Sequence, residues 1–176
     1  MIRRRGYNAT AVDDICKSAG ITKGAFFHHF RTKESLVEAC LIEWDRRLAG
    51  LEGAAGFQRL RSPRKRVAGF MEFFAEAFRN PNMLKSCLVG TTVQEAAETN
   101  PVLRNAANVC FANAGARFQA LLDDAASRKK IDTASLAALW LATLQGSLLL
   151  YKATGDDRAF HKNLEHAQTY ILSQLP

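Results

Sequence analysis

Apolar side chains recur three and four positions apart along most of the chain, which is the spacing of one face of an α-helix. No stretch alternates apolar and polar residues with the β-branched side chains that are typical of a strand. The pattern therefore predicts an all-α protein. The expected helices cover residues 10–18, 22–29, 34–50, 63–79, 85–98, 101–128, 133–153 and 157–174.

Glycine and proline mark the ends of the expected helices. Gly20 follows the first helix, where the backbone is expected to turn through a left-handed conformation. The other expected breaks are at Gly50, Gly53, Gly56, Pro63, Pro81 and Pro101. Residues suited to helix capping flank the last two expected helices: Asp132–Thr133 before the first of them, and Gly155–Asp156 between the two.

One expected helix has a second interpretation. Residues 133–151 carry no charged side chain, and a run of that length is long enough to cross a bilayer. Thr143, Gln145 and Ser147 interrupt its apolar character, and no second run of this kind occurs in the sequence. A helix that is apolar around most of its circumference is also typical of a buried or subunit-interface helix. We adopt the interface interpretation.

Positive charge is concentrated at the start of the chain. The 176 residues carry a net charge of +7, and residues 1–36 hold seven basic and three acidic side chains. Such a footprint suits binding to a polyanion, but a solvated basic face has the same composition. A second basic run, residues 59–66, follows the glycine-rich segment, and we interpret it as an exposed linker.

The cysteines and the charged residues show none of the patterns of a metal site or an active site. The four cysteines have neither the spacing of a zinc knuckle nor that of a redox motif. The sequence has no phosphate-binding glycine loop and no nucleophile elbow, and no secretory leader is recognisable. We therefore expect a cytoplasmic protein with free thiols, which is not an enzyme and binds no metal or cofactor.

Residues 10–33 carry the clearest functional pattern. Thr10, with Asp13 in the first turn, is expected to cap one short helix, and Thr22 is expected to cap a second. Gly20 makes the turn between them. Two short helices joined by a glycine turn form a helix–turn–helix, whose second helix enters the major groove of DNA.

The second helix carries side chains suited to DNA. Lys23 can donate to a guanine edge or a phosphate, and Phe27 can contact a thymine methyl group. His28 and His29 can donate to phosphate or base, and Gly24 is small enough for the helix to approach a phosphate closely. Phe26 and Phe30 are expected to pack in the core instead. Adjacent helical positions point about 100° apart, which argues against a metal site at the two histidines.

Three motifs lie between residues 6 and 36: Gly6-Tyr7-x-Ala9-Thr10, then Ile15-x-x-x-Ala19-Gly20-Ile21-Thr22-Lys23-Gly24-x-Phe26-Phe27-His28-His29-Phe30, then Lys33-Glu34-x-Leu36. Together they resemble the tetracycline-repressor (TetR) family of bacterial transcriptional regulators. The resemblance implies DNA contacts at Thr22, Lys23, Gly24, Phe27, His28, His29 and Lys33, and we add Thr10 to this candidate set. The family usually has tyrosine at the position of Phe27.

The resemblance also implies an overall organisation. It predicts a helix–turn–helix DNA-binding domain over residues 1–47 and a helical ligand-binding and dimerisation domain over residues 48–176. A homodimer would repress transcription from a palindromic double-stranded DNA operator and be released by a small hydrophobic effector. Members of the family carry a full amphipathic helix before the position of Gly6, whereas five residues precede it here. The alternative is a dimerising ligand-binding module without DNA binding.

The C-terminal part offers candidate ligand contacts and a candidate interface. Its phenylalanine-rich segment, residues 70–78, is either core or the wall of an apolar pocket. The candidate ligand contacts are Phe70, Phe74, Cys87, Thr91, Phe111, Trp140 and Gln145. The last two helices are expected to form a four-helix interface with a second subunit, where Ala138, Ala142 and Gly146 permit close approach. A further hypothesis is a thiol-based electrophile sensor at Cys87 or Cys110.

Overall fold

A computed structural model describes residues 1–80, 85–127 and 130–176 of the chain. Within these residues the regular structure is helical and contains no strand, so the all-α prediction is confirmed. The helices are α1 (Ile2–Arg5), α2 (Val12–Ala19), α3 (Lys23–His29), α4 (Lys33–Ala54), α5 (Pro63–Arg79), α6 (Leu88–Ala96), α7 (Pro101–Ala126), α8 (Thr133–Thr154) and α9 (Asp157–Gln174). A short 3₁₀ turn, Gly56–Arg59, lies between α4 and α5.

The expected break after the third predicted helix is misplaced. Gly50 and Gly53 lie inside α4, which continues to Ala54, and the chain turns at Ala55–Gly56 instead. A glycine inside a helix costs about 1 kcal/mol relative to alanine, which does not outweigh the tertiary contacts of a long helix. Glu52, between the two glycines, is buried and provides such a contact. The expected break at Pro81 lies outside the described residues.

The capping predictions for the last helices are confirmed. The side chain of Asp132 accepts a hydrogen bond from the backbone N–H of Ser135 at 3.0 Å. Asp156 accepts one from the N–H of Ala159 at 2.9 Å, at the start of α9. Gly155 ends α8 with a φ of +69°, the left-handed conformation that glycine adopts without a Cβ clash.

The described residues form two compact units. The first comprises residues 1–46 and 86–111, so α6 belongs to the same unit as α1–α3 and the first part of α4. Its core contains Val37, Leu41, Leu103 and Ala107, each of which is fully buried. Because α6 comes from the second half of the chain, this core joins segments that are distant in sequence.

The second unit comprises residues 47–85 and 112–176. Its interior is aromatic: the rings of Phe70 and Phe118 stack with their centroids 4.5 Å apart, and Trp140 lies 6.1 Å from Phe118. The buried carboxylate of Glu52 accepts a hydrogen bond from Nε of Arg117 at 2.7 Å. The pairing stabilises two charges that would otherwise be costly to bury.

Of the helices in the described part of the chain, α8 is the one long and apolar enough to cross a membrane. It presents Leu139, Leu149 and Leu150 as exposed side chains, and α9 beside it presents Tyr170. Both helices therefore carry an apolar face that the rest of this subunit leaves uncovered.

Candidate nucleic-acid interface

The turn between α2 and α3 is set by Gly20. Its φ of +67° lies in the left-handed region, and its N–H donates to the carbonyl of Lys17 at 3.4 Å. The N–H of Ile21 donates to the carbonyl of Cys16 at 3.0 Å. This pair of bonds is the Schellman arrangement that ends a helix and reverses the chain. The predicted glycine turn is confirmed.

Helix α3 is fixed by one cap and one buried ring. The hydroxyl of Thr22 accepts a hydrogen bond from the N–H of Ala25 at 3.1 Å, as its capping role predicts. The ring of Phe26 is 2% exposed and anchors the helix in the core. Ile21, which follows Gly20 in the turn, is exposed.

The opposite face of α3 is open to solvent. The ring of Phe27 is 50% exposed although it contacts Phe26 edge-on, with centroids 5.1 Å apart. The rings of His28 and His29 also lie outside the core, 5.1 Å from each other. Around the rest of α3 and its N-cap, the side chains or backbone of Thr22, Lys23, Gly24, Phe27, His28 and His29 are all exposed to solvent. We refer to these six residues as the reading face.

Thr10 does not cap α2, so that expectation is wrong. Its side chain is fully buried, and its hydroxyl donates to the carbonyl of Gly6 at 2.7 Å. Ala11 occupies the cap position, where its N–H donates to the carboxylate of Asp14 at 3.3 Å. A fully buried hydroxyl that is already bonded to the backbone cannot contact a phosphate in this conformation. Thr10 therefore supports the turn before α2 and is not part of the reading face.

Lys33 lies at the start of α4, where its ammonium group is held within the protein. Its Nζ donates to the carbonyl of Tyr7 at 3.0 Å and lies 3.9 Å from the centre of the Tyr7 ring. A cation over an aromatic face is stabilised by the ring quadrupole. A phosphate contact by Lys33 would therefore have to share or replace these bonds.

Tyr7 has a second partner that the sequence did not indicate. Its phenol donates to Oε1 of Glu34 at 2.5 Å. Burial raises the pKa of Tyr7, and the hydrogen bond to Glu34 raises it further. The same hydrogen bond lowers the pKa of Glu34, so the pair is most stable with a protonated phenol and an ionised carboxylate. Tyr7 appears in the motif, but its partner is not predictable from local spacing.

Lys23 of the reading face forms an ion pair with a residue of α2. Nζ of Lys23 lies 2.8 Å from the carboxylate of Asp13 on α2, and both side chains are largely exposed. The hydrogen bond that Lys23 donates to Asp13 raises the pKa of Lys23 and favours its charged form. Exposed pairs of this kind are weak, so Lys23 can exchange Asp13 for a phosphate or a guanine edge at little cost.

The acidic and basic side chains of residues 1–36 are distributed unequally. Each of the three acidic residues has a partner within the protein, as described above for Asp13, Asp14 and Glu34. Four basic side chains are exposed, and the described part of the chain holds no ion-pair or hydrogen-bond partner for them. They are Arg4, Arg5, Lys17 and Arg31. The sequence gives the number of these charges but not which of them lack a partner, so the four were not predicted as candidate phosphate contacts.

The candidate ligand contacts fall into two groups. Phe70, Phe74 and Trp140 belong to the aromatic interior of the second unit, where Phe118 bridges Phe70 and Trp140. Gln145 is in the same unit and is half-buried. Cys87, Thr91 and Phe111 lie in the first unit, where Cys87 and Phe111 pack against the cluster around Leu41. Three of the seven candidate ligand contacts thus lie in the aromatic core of the second unit.

All four cysteines are free thiols, as expected. The thiol of Cys110 is buried and donates to the carbonyl of Leu41 at 3.4 Å. Burial raises the pKa of Cys40, which lowers its reactivity at neutral pH. Cys87 occupies the cap position of α6 and is partly exposed. The described residues contain no cluster of ligating side chains that could hold a metal ion.

Two family models match this chain. Residues 1–40, which contain the helix–turn–helix, match the bacterial regulatory proteins of the tetR family. Residues 63–167 match a tetracyclin repressor-like C-terminal domain. The chain belongs to the TetR family. Its resemblance to that family, based on three motifs between residues 6 and 36, is thereby confirmed and extended to the C-terminal helices.

Individual relatives agree with this assignment. The chain is 31% identical over 94 residues to the transcriptional regulator AcuR of Cereibacter sphaeroides, a match that covers 53% of this chain and 43% of AcuR. It is 24% identical over 176 residues to an uncharacterized HTH-type transcriptional regulator of Lactococcus lactis, covering 96% of this chain and 86% of that protein. The match thus spans less than half of the length of AcuR.

The fold is shared with solved structures. A TetR regulatory protein from Rhodobacter sphaeroides superposes with a TM-score of 0.81 at 24% identity, covering 99% of this chain and 93% of that chain. A TetR transcriptional regulator from Legionella pneumophila gives a TM-score of 0.78 at 21% identity, covering 99% and 91%. At these identities the likeness shows the fold, a helix–turn–helix followed by a helical C-terminal part.

Proposed function

We propose that this chain is a ligand-responsive transcriptional repressor that binds a palindromic operator as a homodimer. The observation that carries the proposal is the reading face of α3, which is open to solvent while Phe26 fixes the opposite side of the helix. A helix held from one side and exposed on the other can lie in a major groove. We assign DNA binding to residues 1–47 and ligand binding and dimerisation to residues 48–176, of which residues 86–111 pack in the same compact unit as residues 1–46.

The side chains of the reading face supply two kinds of contact. Lys23, His28 and His29 donate hydrogen bonds to bases or phosphates, and Phe27 packs on a thymine methyl group. Arg4, Arg5, Lys17 and Arg31 are exposed cations of the same unit and are suited to phosphates. Base contacts select the sequence, whereas phosphate contacts fix the register and make binding salt-dependent.

Dimerisation is proposed through α8 and α9. The small residues Ala138, Ala142 and Gly146 are all exposed on α8. An open groove between α8 and α9 is lined by Leu139, Gly146, Leu150 and Tyr170, together with polar side chains such as Asn163 and His166. Two copies of such a face can bury each other in a four-helix arrangement with twofold symmetry. A twofold dimer matches the two half-sites of a palindromic operator.

The effector is proposed to be small and hydrophobic. Phe70, Phe74 and Trp140 line an interior that offers rings for packing and few polar groups for orientation. Gln145 of the same unit is half-buried and is the polar candidate that could orient the effector. We infer a cytoplasmic protein that needs no cofactor and acts by binding instead of catalysis.

The proposal is tested by footprinting the DNA that flanks the gene for this chain. Purified protein is expected to protect one segment with two symmetry-related half-sites, separated by about one or more helical turns of DNA. A protected half-site without its symmetry mate would contradict the homodimer. Absence of any protected segment, at protein concentrations well above the nanomolar range of specific binding, would contradict the repressor.

A further inference from the structure

We propose that Glu95 of α6 is a positioning residue for the DNA-reading helix, a role that rests on the function proposed above. Its carboxylate accepts a hydrogen bond from the backbone N–H of Asn8 at 2.9 Å, and its carbonyl accepts one from the Asn8 side chain at 3.4 Å. Asn8 precedes the helix–turn–helix, and 87 positions separate it from Glu95. The contact therefore attaches the C-terminal end of α6 to the segment that supports the reading face.

The backbone at Gly6 is shaped around this carboxylate. The φ of Gly6 is +93°, a conformation that side chains other than hydrogen rarely adopt. A Cβ atom at Gly6 would overlap the carboxylate of Glu95. The positive φ favours glycine at position 6, and the carboxylate of Glu95 occupies the space into which a Cβ atom would project.

The turn held by Glu95 also holds both helices that flank the reading helix. The carbonyl of Gly6 accepts from Thr10, immediately before α2. The carbonyl of Tyr7 accepts from Lys33 and its phenol donates to Glu34, both in the first turn of α4. Helix α3 lies between α2 and α4 in the chain. A displacement of the turn is therefore passed to both neighbours of α3.

A second contact fixes the other end of α6 to the same N-terminal segment. The guanidinium of Arg3 donates through Nε and Nη2 to the carbonyl of Ser86, at 3.1 and 2.7 Å. Its carbon lies 4.7 Å from the centre of the Trp44 ring. Arg3 is bonded to Ser86, just before α6, and Asn8 is bonded to Glu95, near the C-terminal end of α6. Residues 3–8 are thus held at both ends of this helix. Glu95 is the contact nearest to the helix–turn–helix.

The experiment compares three variants with the wild-type chain. Glu95→Ala removes the acceptor, Glu95→Gln keeps an amide oxygen that can accept the Asn8 N–H, and Asn8→Ala removes the side chain but leaves its backbone N–H bonded. Each is measured for hydrogen exchange of the Asn8 amide, for affinity to the footprinted operator and for affinity to random DNA. A thermal melt by circular dichroism shows that each variant is folded.

Glu95→Ala is expected to exchange the Asn8 amide faster and to bind the operator about tenfold more weakly, as expected for the loss of one charge-assisted hydrogen bond. Affinity for random DNA should change less, so that the ratio of the two affinities falls. Glu95→Gln and Asn8→Ala should stay close to the wild type. A role limited to stability would weaken both affinities alike and leave their ratio unchanged, which overturns the proposal.

The failure of this inference can be distinguished from failure of the proposed function. If the wild-type chain prefers its operator and Glu95→Ala has the same preference, Glu95 is not a positioning residue and the repressor remains. If the wild-type chain does not prefer its operator to random DNA, the proposed repressor function is wrong. The link between Glu95 and the turn is then tested by hydrogen exchange alone. Faster exchange at Asn8 and in the first turn of α4 then supports the link, and unchanged exchange overturns it.

Discussion

The phenol of Tyr7 and the carboxylate of Glu34 are joined by a 2.5 Å hydrogen bond, and this bond ties the turn before α2 to the first turn of α4. Tyr7 is 7% exposed and lies beneath the ammonium group of Lys33. A phenol, a carboxylate and an ammonium group thus satisfy one another at the edge of the core. Removal of the phenol hydroxyl deprives the carboxylate of Glu34 of a hydrogen-bond donor and alters the ring beneath the ammonium group of Lys33.

Tyr7→Phe is expected to lower the free energy of unfolding by about 1–3 kcal/mol, the cost of losing a hydrogen bond to a charged group. The phenol lowers the pKa of Glu34 in the folded state. Its contribution is therefore present above the ordinary carboxylate pKa of about 4.3 and is lost as pH falls through the lower folded-state value. Urea titrations at neutral pH and below about pH 4 should show the difference between the two proteins shrink in acid. A difference that stays constant with pH would contradict this pairing.

Phe27→Ala is expected to weaken operator binding by about 1–3 kcal/mol, the range for one base contact, with little loss of stability. The ring is half exposed, so that its removal leaves no buried cavity. Phe26→Ala is the matched control, because its buried ring should cost about 3–5 kcal/mol of folding stability instead. Binding isotherms and urea titrations of both variants check this division. Equal loss of stability in both variants would contradict the assignment of Phe27 to the reading face.

Phe27→Tyr is expected to strengthen binding to the operator and to random DNA alike. The added hydroxyl can donate to a phosphate, as the tyrosine usual in the family implies, and phosphate contacts carry no sequence information. Parallel titrations against both DNAs measure the two gains. A gain confined to the operator would show that the hydroxyl contacts a base edge.

Replacement of Arg4, Arg5, Lys17 or Arg31 by alanine is expected to reduce the salt dependence of DNA binding. Each phosphate contact contributes about 0.9 to the slope of log K against log salt concentration. Arg158→Ala is the control, since Arg158 is an exposed cation on α9 in the second unit. The affinity is measured at four or more salt concentrations for each variant. An equal change of slope in the control would refute the assignment of the phosphate contacts to the first unit.

Leu150→Glu is expected to convert a dimer into a monomer. Leu150 is 58% exposed in the single subunit and lines the groove between α8 and α9, where a paired subunit would bury the new charge without a partner. Ile42→Glu on α4 is the matched control, because Ile42 is 61% exposed and lies outside that groove. Light scattering gives the mass of both variants. A monomeric wild-type chain, or a dimeric Leu150→Glu variant, would contradict the proposed interface.

Features fixed by short-range interactions were predictable from the sequence. The Gly20 turn and the caps at Thr22, Asp132 and Asp156 each depend on bonds within a few residues. The exposure of Phe27 and His28 was predictable for the same reason, because helical spacing directs both away from the buried Phe26. Local pattern thus sufficed for the helix–turn–helix.

Features that depend on distant residues were not predictable. Thr10 is of a residue type that caps helices, but its side chain is buried and its hydroxyl donates a hydrogen bond to the carbonyl of Gly6 instead. The two glycines in α4 suggested a break, which the packing of that helix overrode. The contact of Glu95 with Asn8 spans 87 positions and has no local signal. Long-range packing decided the cases of α4 and Glu95, whereas the partner of Thr10 is only four positions away and its burial, not distance in the chain, escaped prediction.

A salt titration of binding to the flanking DNA of the gene for this chain, with random DNA as the reference, tests the central claim most directly. The account predicts operator affinity in the nanomolar range at physiological salt, at least a thousandfold tighter than random DNA, with a steep salt slope. Equal affinity for both DNAs at every salt concentration would contradict the claim that the exposed face of α3 reads an operator.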